Sequence, residues 1–495
     1  MDDAHTVAGT PDGRRWLALA AIVAAQFMVV LDVAIVNVAL PSIETDLHFS
    51  QEGLQWVITA YSILFGGVLL LGGRMADLLG RRRLFLAGLA LFTASSLLSG
   101  LAWSEGSLIA FRALQGLGGG LLSPAALSIL TTTFSEGRER NIALGIWGAV
   151  SGSGAAAGVL LGGLLTSSLD WSWIFFVNVP VGALLVLATP LLLRESRVDV
   201  GHRHFDVAGA ASITAGLMLL VYAMTRATEI GWGSGETIGL LAGSAALLAA
   251  FVAIELRSQA PLLPMRIFRL RTLTGANVTG LLLGGALFSQ FFLLTLYMQE
   301  VLHYSAIKTG VAYITLTLTI IVLANVAQGL VTRIGVRKVM PVGLALATVA
   351  LVLYTRLPVR GHYFPDLFAP LLVGGIGLAF SFVPMTIAAL TRVSDEDAGI
   401  ASGLLNTSQQ VGGAVGLAAA TTIATTFTSR YVNAHPGVSA ASGAALTHGF
   451  QIAFAVLAGI AALAALLGAV VIESGPPGEA EVVAYASEAL AEEAV

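Results

Sequence analysis

The sequence predicts an all-α polytopic membrane protein with fourteen spanning helices, laid out as two six-helix halves with two extra helices between them. Three observations carry this prediction. Of 495 residues, 56% are hydrophobic and only 11% are charged, whereas a soluble globular chain carries about 25% charged residues. Apolar runs near the length of roughly 20 residues that a bilayer core requires recur along the whole chain. The basic residues collect in alternate connecting segments, as the positive-inside rule demands.

The first apolar run follows Arg14 and Arg15. It is too long for a secretory signal and has no clear small-residue cleavage site, so it reads as a retained span over 16–40. Further spans are predicted near 54–73, 84–102, 107–133, 140–166, 172–193, 205–224, 236–256, 272–298, 307–331, 340–357, 363–390, 399–427 and 449–472. The predicted organisation is a polar tail (1–14), a first bundle (15–195), a linker with the two extra spans (196–271), a second bundle (272–472) and an acidic tail (473–495). With the N-terminus placed in the cytoplasm, 19 of the 25 Lys and Arg fall on the inner side, five on the outer side, and Arg112 inside a helix. One miscounted span would scramble that asymmetry. Both termini are therefore expected in the cytoplasm. Arginine outnumbers lysine 23 to 2, which fits a GC-rich bacterial source and an inner-membrane location.

A turn rich in glycine and arginine occurs twice. "GRMADLLGRRRLFLAGLAL" (73–91) and "GLVTRIGVRKVMPVGLAL" (329–346) align at a spacing of 255 residues, with Gly80, Arg82, Arg83 and Gly88 matching Gly335, Arg337, Lys338 and Gly343. Each copy joins the second and third helices of its half. Internal repeats of this kind are a common transporter plan, with the substrate site between them near mid-membrane.

Several chemistries are excluded or disfavoured. There is no cysteine, so disulfides, thiolate metal sites and thiol nucleophiles are ruled out. All eight histidines fall in tails or loops, which argues against an intramembrane haem, a metal centre or a histidine proton relay. There is no HExxH sequence, and no second deep acid is present to form a catalytic dyad. The chain is expected to be neither an enzyme nor a nucleic-acid binder, and to need no cofactor beyond a proton gradient.

Two deep charges remain. Asp32 is the one acidic residue well inside a span, and Arg112 is the one basic residue in such a place. Each costs a few kcal/mol on the insertion scale, and such residues mark function by default. At 1.5 Å rise per residue both fall in the outer half of the membrane, close enough in level to meet. A purely structural ion pair, or Arg112 bonded to backbone carbonyls, is the competing reading. If the pair forms, protonating Asp32 leaves Arg112 without its counter-charge, which couples proton occupancy to whatever else binds.

These residues sit in motifs that resemble the major facilitator superfamily, and within it the fourteen-helix drug:proton antiporters of the EmrB/QacA type. "LDVAIVNVALP" (31–41) is similar to the first-helix signature of that group, with Asp32 at the acidic position tied to proton coupling. "GRMADLLGRRR" (73–83) resembles the superfamily's loop motif, which places Gly73, Asp77, Gly80, Arg81 and Arg82 in a conformational latch. "RALQGLGGG" (112–120) resembles the fourth-helix motif, with Arg112 implied in proton transfer. "GAAAGVLLGGLL" (154–165) resembles the fifth-helix antiporter motif through Gly154, Gly158, Gly162 and Gly163, but Val159 stands where proline is usual. "WSWIFFVNVPVG" (171–182) and "AGIASGLLNTSQQVGGAVG" (398–416) fit as well, the second without the acidic residue that some exporters carry there.

The resemblance implies a secondary transporter that exports small amphipathic organic compounds, drugs or antibiotics, in exchange for protons, working as a monomer in the lipid bilayer. Candidates to line its cavity are Gln26, Asn37, Gln115, Gln290, Phe291, Asn325, Asn406 and Gln409. With few membrane carboxylates, neutral or singly charged cargo is expected. A proton symporter importing a small solute, and a transport-inactive sensor that docks partners through its acidic tail, stand as alternatives.

Overall fold

The computed structural model describes residues 12–49, 51–135, 137–196, 206–258, 261–394 and 396–472. The acidic tail, most of the N-terminal tail and residues 197–205 of the linker lie outside the described residues. Fourteen long helices account for nearly all of the rest. They are α1 (Asp12–Leu47), α2 (Gln51–Leu79), α3 (Arg81–Gly100), α4 (Glu105–Thr133), α5 (Arg138–Ser168), α6 (Trp173–Leu192), α7 (Val207–Ile230), α8 (Gly235–Glu255), α9 (Arg271–Val301), α10 (Ala306–Ile334), α11 (Val336–Tyr354), α12 (Tyr363–Leu390), α13 (Ala398–Ala434) and α14 (Gly443–Val471). No strand is found among the described residues. Lipid cannot hydrogen-bond to backbone, so an apolar spanning segment has to satisfy its own N–H and C=O groups as a helix.

Helix starts follow the side chains that accept from otherwise unpaired N–H groups. Ser104 caps α4 in a reciprocal pair with Ser107, and Asp206 accepts from Gly209 N at 2.7 Å at the head of α7. Ser234, Ser305 and Ser442 do the same for α8, α10 and α14. The helices overrun the predicted spans mainly at α1, which reaches Leu47, and at α13, which reaches Ala434. Hydrocarbon thickness sets where apolar sequence stops, but the backbone stays helical beyond it.

The duplication is visible in packing. Within the first half α1 packs on α5 and α6, α2 on α4, and α3 on α4 and α6; within the second, α9 packs on α13 and α14, α10 on α12, and α11 on α12 and α14. The repeated turn glycines Gly80 and Gly335 both adopt positive φ, 109° and 84°, a conformation that L side chains rarely adopt. The repeated Gly88 and Gly343 both sit at tight crossings. A Cβ at Gly88 would lie 2.8 Å from the Gly118 carbonyl, and one at Gly343 would collide with the backbone of Phe380.

The described ends of α1 and α14, near Arg15 and Ile472, lie at the same end of the bundle, here termed the tail face. Contacts there include Arg15 Nη1 to Glu139 at 3.1 Å, Arg266 to Asp397 at 3.6 Å, and Gly275 against Val471 and Ile472. The opposite end is the far face.

Candidate functional site

The two deep charges meet. Arg112 Nη1 of α4 donates to Asp32 Oδ2 of α1 at 2.6 Å, with Asp32 at 0% and Arg112 at 1% exposure. Gln115, one turn along α4, bridges both partners: its Oε1 accepts from Arg112 at 2.7 Å and its Nε2 donates to Asp32 Oδ1 at 2.8 Å. Arg112 Nε donates to the Val57 carbonyl of α2 at 3.2 Å, and its guanidinium carbon stands 4.3 Å from the centre of the Tyr61 ring, a cation–π distance. The charge is thus held by α1, α2 and α4 together. Removing one member of such a buried pair costs about 3–5 kcal/mol, because the other is left uncompensated.

Sequence reasoning missed the rest of the shell. Asn178 of α6 donates to Asp32 Oδ1 and to Ser96 Oγ of α3, each at 3.1 Å, and Ser96 donates to the Phe175 carbonyl at 2.9 Å. The signal was present: Asn178 is a solitary amide in "FFVNVPVG", a stretch otherwise without hydrogen-bonding side chains. Chemically this is a one-proton acceptor facing a cation that keeps three other ligands when the carboxylate is neutral.

A cavity of about 300 Å3 lies between the halves, from the level of Gln26 toward the far face. Of the predicted cavity residues, Gln26, Asn37, Phe291, Asn406 and Gln409 line it, joined by Phe288, Phe292 and Gln410. Three others do not. The Gln115 amide is committed to the ion pair. Gln290 is buried and faces Gly374 of α12. Asn325 sits on an exposed face of α10. Each of the three lies mid-helix, where sequence alone does not tell which side turns inward. No charged side chain is among the described lining residues. Tyr61 is among the cavity-lining residues, and Arg112 lies over its ring.

On the tail side the cavity is shut. Gly73 of α2 lies against the backbone of Gly399 and Gly403 of α13. Asp77 Oδ1 accepts from Gly399 N at 3.2 Å, and from Arg81 Nη2 and Nε at 2.8 and 3.1 Å. The first contact exploits the positive end of the α13 dipole. Beyond Gly80, Arg82 N donates to Glu195 Oε1 at 3.1 Å and Arg82 Nη1 to the Leu193 carbonyl at 3.3 Å, tying the turn to the end of α6. Gly154, Gly158 and Gly162 of α5 receive Val30, Ala34 and Ile35 of α1, and Gly163 is buried beside them. Helix α5 runs unbroken through Val159, whose side chain lines the cavity.

Comparison with known proteins places this arrangement. The chain is 42% identical over 467 residues to the puromycin resistance protein pur8 of Streptomyces alboniger, covering 94% of this chain and 92% of that one. It is 40% identical to the cephamycin export protein CmcT of Amycolatopsis lactamdurans, over 81% of this chain and 83% of the relative. Among solved structures, the human organic anion transporter MFSD10 superimposes with a TM-score of 0.60 at 18% identity, covering 93% of this chain and all of that one, which speaks to the fold alone. Residues 22–417 match the family described as Major Facilitator Superfamily. With that match, the duplicated bundle and the resistance and export relatives, the chain belongs to the Major Facilitator Superfamily of membrane transporters.

Proposed function

We propose that this protein exports amphipathic organic compounds, antibiotics among them, across a bacterial inner membrane in exchange for protons by alternating access. The observation that carries the reading is the Asp32–Arg112 pair, sealed from solvent and in contact through Arg112 with Tyr61, itself a lining residue of a neutral, aromatic-lined cavity. The names of the relatives, puromycin resistance and cephamycin export, support cargo of this class. Ligand sites of this kind combine apolar walls with a few polar groups that fix orientation.

The tail face is assigned to the cytoplasm from the 19-to-5 distribution of basic residues, and the structure then corresponds to the form closed to the cytoplasm. Asp32 carries the proton, with Arg112, Gln115 and Asn178 setting its geometry. The loop from Gly73 to Arg82 latches the halves, and the glycines of α5 let it slide against α1. The chain works as a monomer, with residues 15–195 and 272–472 as the two rocking units. One proton crossing 100 mV is worth about 2.3 kcal/mol, enough for roughly fifty-fold accumulation of cargo in an electrogenic cycle.

The test is proton flux in everted membrane vesicles energised by respiration, with puromycin, ethidium and tetraphenylphosphonium added in turn. The expected result is partial collapse of the pH gradient with the intact chain and none with Asp32→Asn. Equal collapse with both proteins would remove Asp32 from the coupling site.

A further inference from the structure

The two extra helices are not equivalent. Helix α8 leans on α7, through Ser244 Oγ donating to the Gly216 carbonyl at 2.9 Å and Leu247 and Leu248 packed over Gly216, and most of its surface faces outward. Helix α7 reaches both halves. Its Val221 and Met218 lie over Gly66 and Gly67 of α2, whose missing side chains admit it. Tyr222 stacks on Trp56 of α2 at 5.7 Å. Just past the end of α7, Trp232 Nε1 donates to Thr422 Oγ1 of α13 at 2.8 Å.

The place α7 occupies is a gap. Helices α2 and α13 touch from Asp77 up to Leu69, where Gly403 abuts the Leu69 carbonyl. Toward the far face they part, and Ile58 and Ser62 on one side and Gln410 and Ala414 on the other line the cavity. Leu217 and Val221 of α7 line it too, each about 5% exposed.

We propose that α7 is a third wall of the cargo site: it closes the opening between α2 and α13 against lipid and presents Leu217 and Val221 to whatever occupies the cavity. The inference rests on the reading of this cavity as the cargo site. Two aliphatic side chains at that wall favour an apolar group on the cargo side that faces α7. A twelve-helix arrangement would leave the same opening to acyl chains or to direct α2–α13 contact.

The chain has no cysteine, so a single introduced thiol reports its own surroundings. Val221→Cys, Ala414→Cys and Ala246→Cys, the last on the exposed face of α8, are each placed in the full chain in lipid nanodiscs, where both faces meet the medium. The probe is the impermeant reagent 2-sulfonatoethyl methanethiosulfonate. The proposal expects the thiol at 221 to react within threefold of the thiol at 414, and the thiol at 246 to react at least tenfold more slowly. Adding Leu217→Trp should slow reaction at 414 at least fivefold, with an unchanged melting midpoint showing that the fold is intact. Reaction at 414 but not at 221, or at 246 as fast as at 221, overturns the wall and leaves the cavity reading standing. No reaction at either 221 or 414 overturns both.

Discussion

The two seams along which the halves meet are built differently. The α5/α10 seam runs across most of the bundle: Asn141 Nδ2 donates to Thr332 Oγ1 at 3.2 Å near the tail face, Gly145 abuts Gln328 one turn on, and Gly310 presses on Leu160 toward the far face. The α2/α13 seam exists only in its tail half, and α7 stands where the rest would be. The duplicated loop shows the same contrast in chemistry. Asp77 has as its counterpart, 255 residues later, Thr332. A carboxylate accepting a backbone N–H makes a bond roughly twice as strong as a neutral pair, so the short seam is fastened by a charge and the long one by extended packing. A contact that has to open and reclose is better served by a few strong bonds than by a long interdigitated surface.

The largest effect should come from wedging the short seam. Gly73→Leu puts a branched side chain against the Gly399 carbonyl, and proton-coupled export should fall below a tenth of the parent rate at matched protein level. Gly329→Ala, in the repeated loop, enters open space and should stay within twofold. Normal export by Gly73→Leu would mean that the α2/α13 seam need not close. A smaller effect separates the charged fastener from the neutral one. A thiol introduced by Leu144→Cys is nearly buried beside the tail-face ends of α5 and α10, lining a recess there, and is labelled faster when that face opens. Adding Asp77→Asn should speed labelling about tenfold, since a hydrogen bond to a charged group contributes about 1.5–3 kcal/mol and 1.4 kcal/mol is tenfold. Adding Thr332→Val should change it less than twofold, and equal acceleration by both would erase the distinction drawn between the seams. The smallest effect concerns stability rather than the seams. Asn178→Ala removes a donor shared by α1 and α3 and should lower the melting midpoint in detergent by a few degrees, in line with about 1.5–3 kcal/mol for a hydrogen bond to a charged group. Asn325→Ala, exposed on α10, should leave it unchanged.

Most of the fold could be read from residues because lipid leaves so few options. Span length gives the number of helices, and the repeated glycine turn gives their division into two related halves. That Asp32 and Arg112 could meet was legible from their shared depth, since two opposite charges at one level in a low-dielectric medium gain strongly by contact; that α1 and α4 adjoin was not. Rotation of a helix about its own axis was not legible. Gln290, Asn325 and Asn406 look alike in sequence, yet one is buried against α12, one is exposed and one lines the cavity. In a helix apolar on all sides no stripe marks the inner face. The position of α7 was equally hidden, because nothing in an apolar run with small residues says which neighbour it covers.

The seal around Asp32 has one more consequence, for leakage. Its carboxylate has no contact with solvent, and all three groups that bond it are amide or guanidinium donors. While the tail face is shut, the carboxylate stays buried behind these three donors. On the antiport reading proposed above, an idle copy of this protein insulates the membrane, and the proton gradient is drawn down only as fast as the helices move.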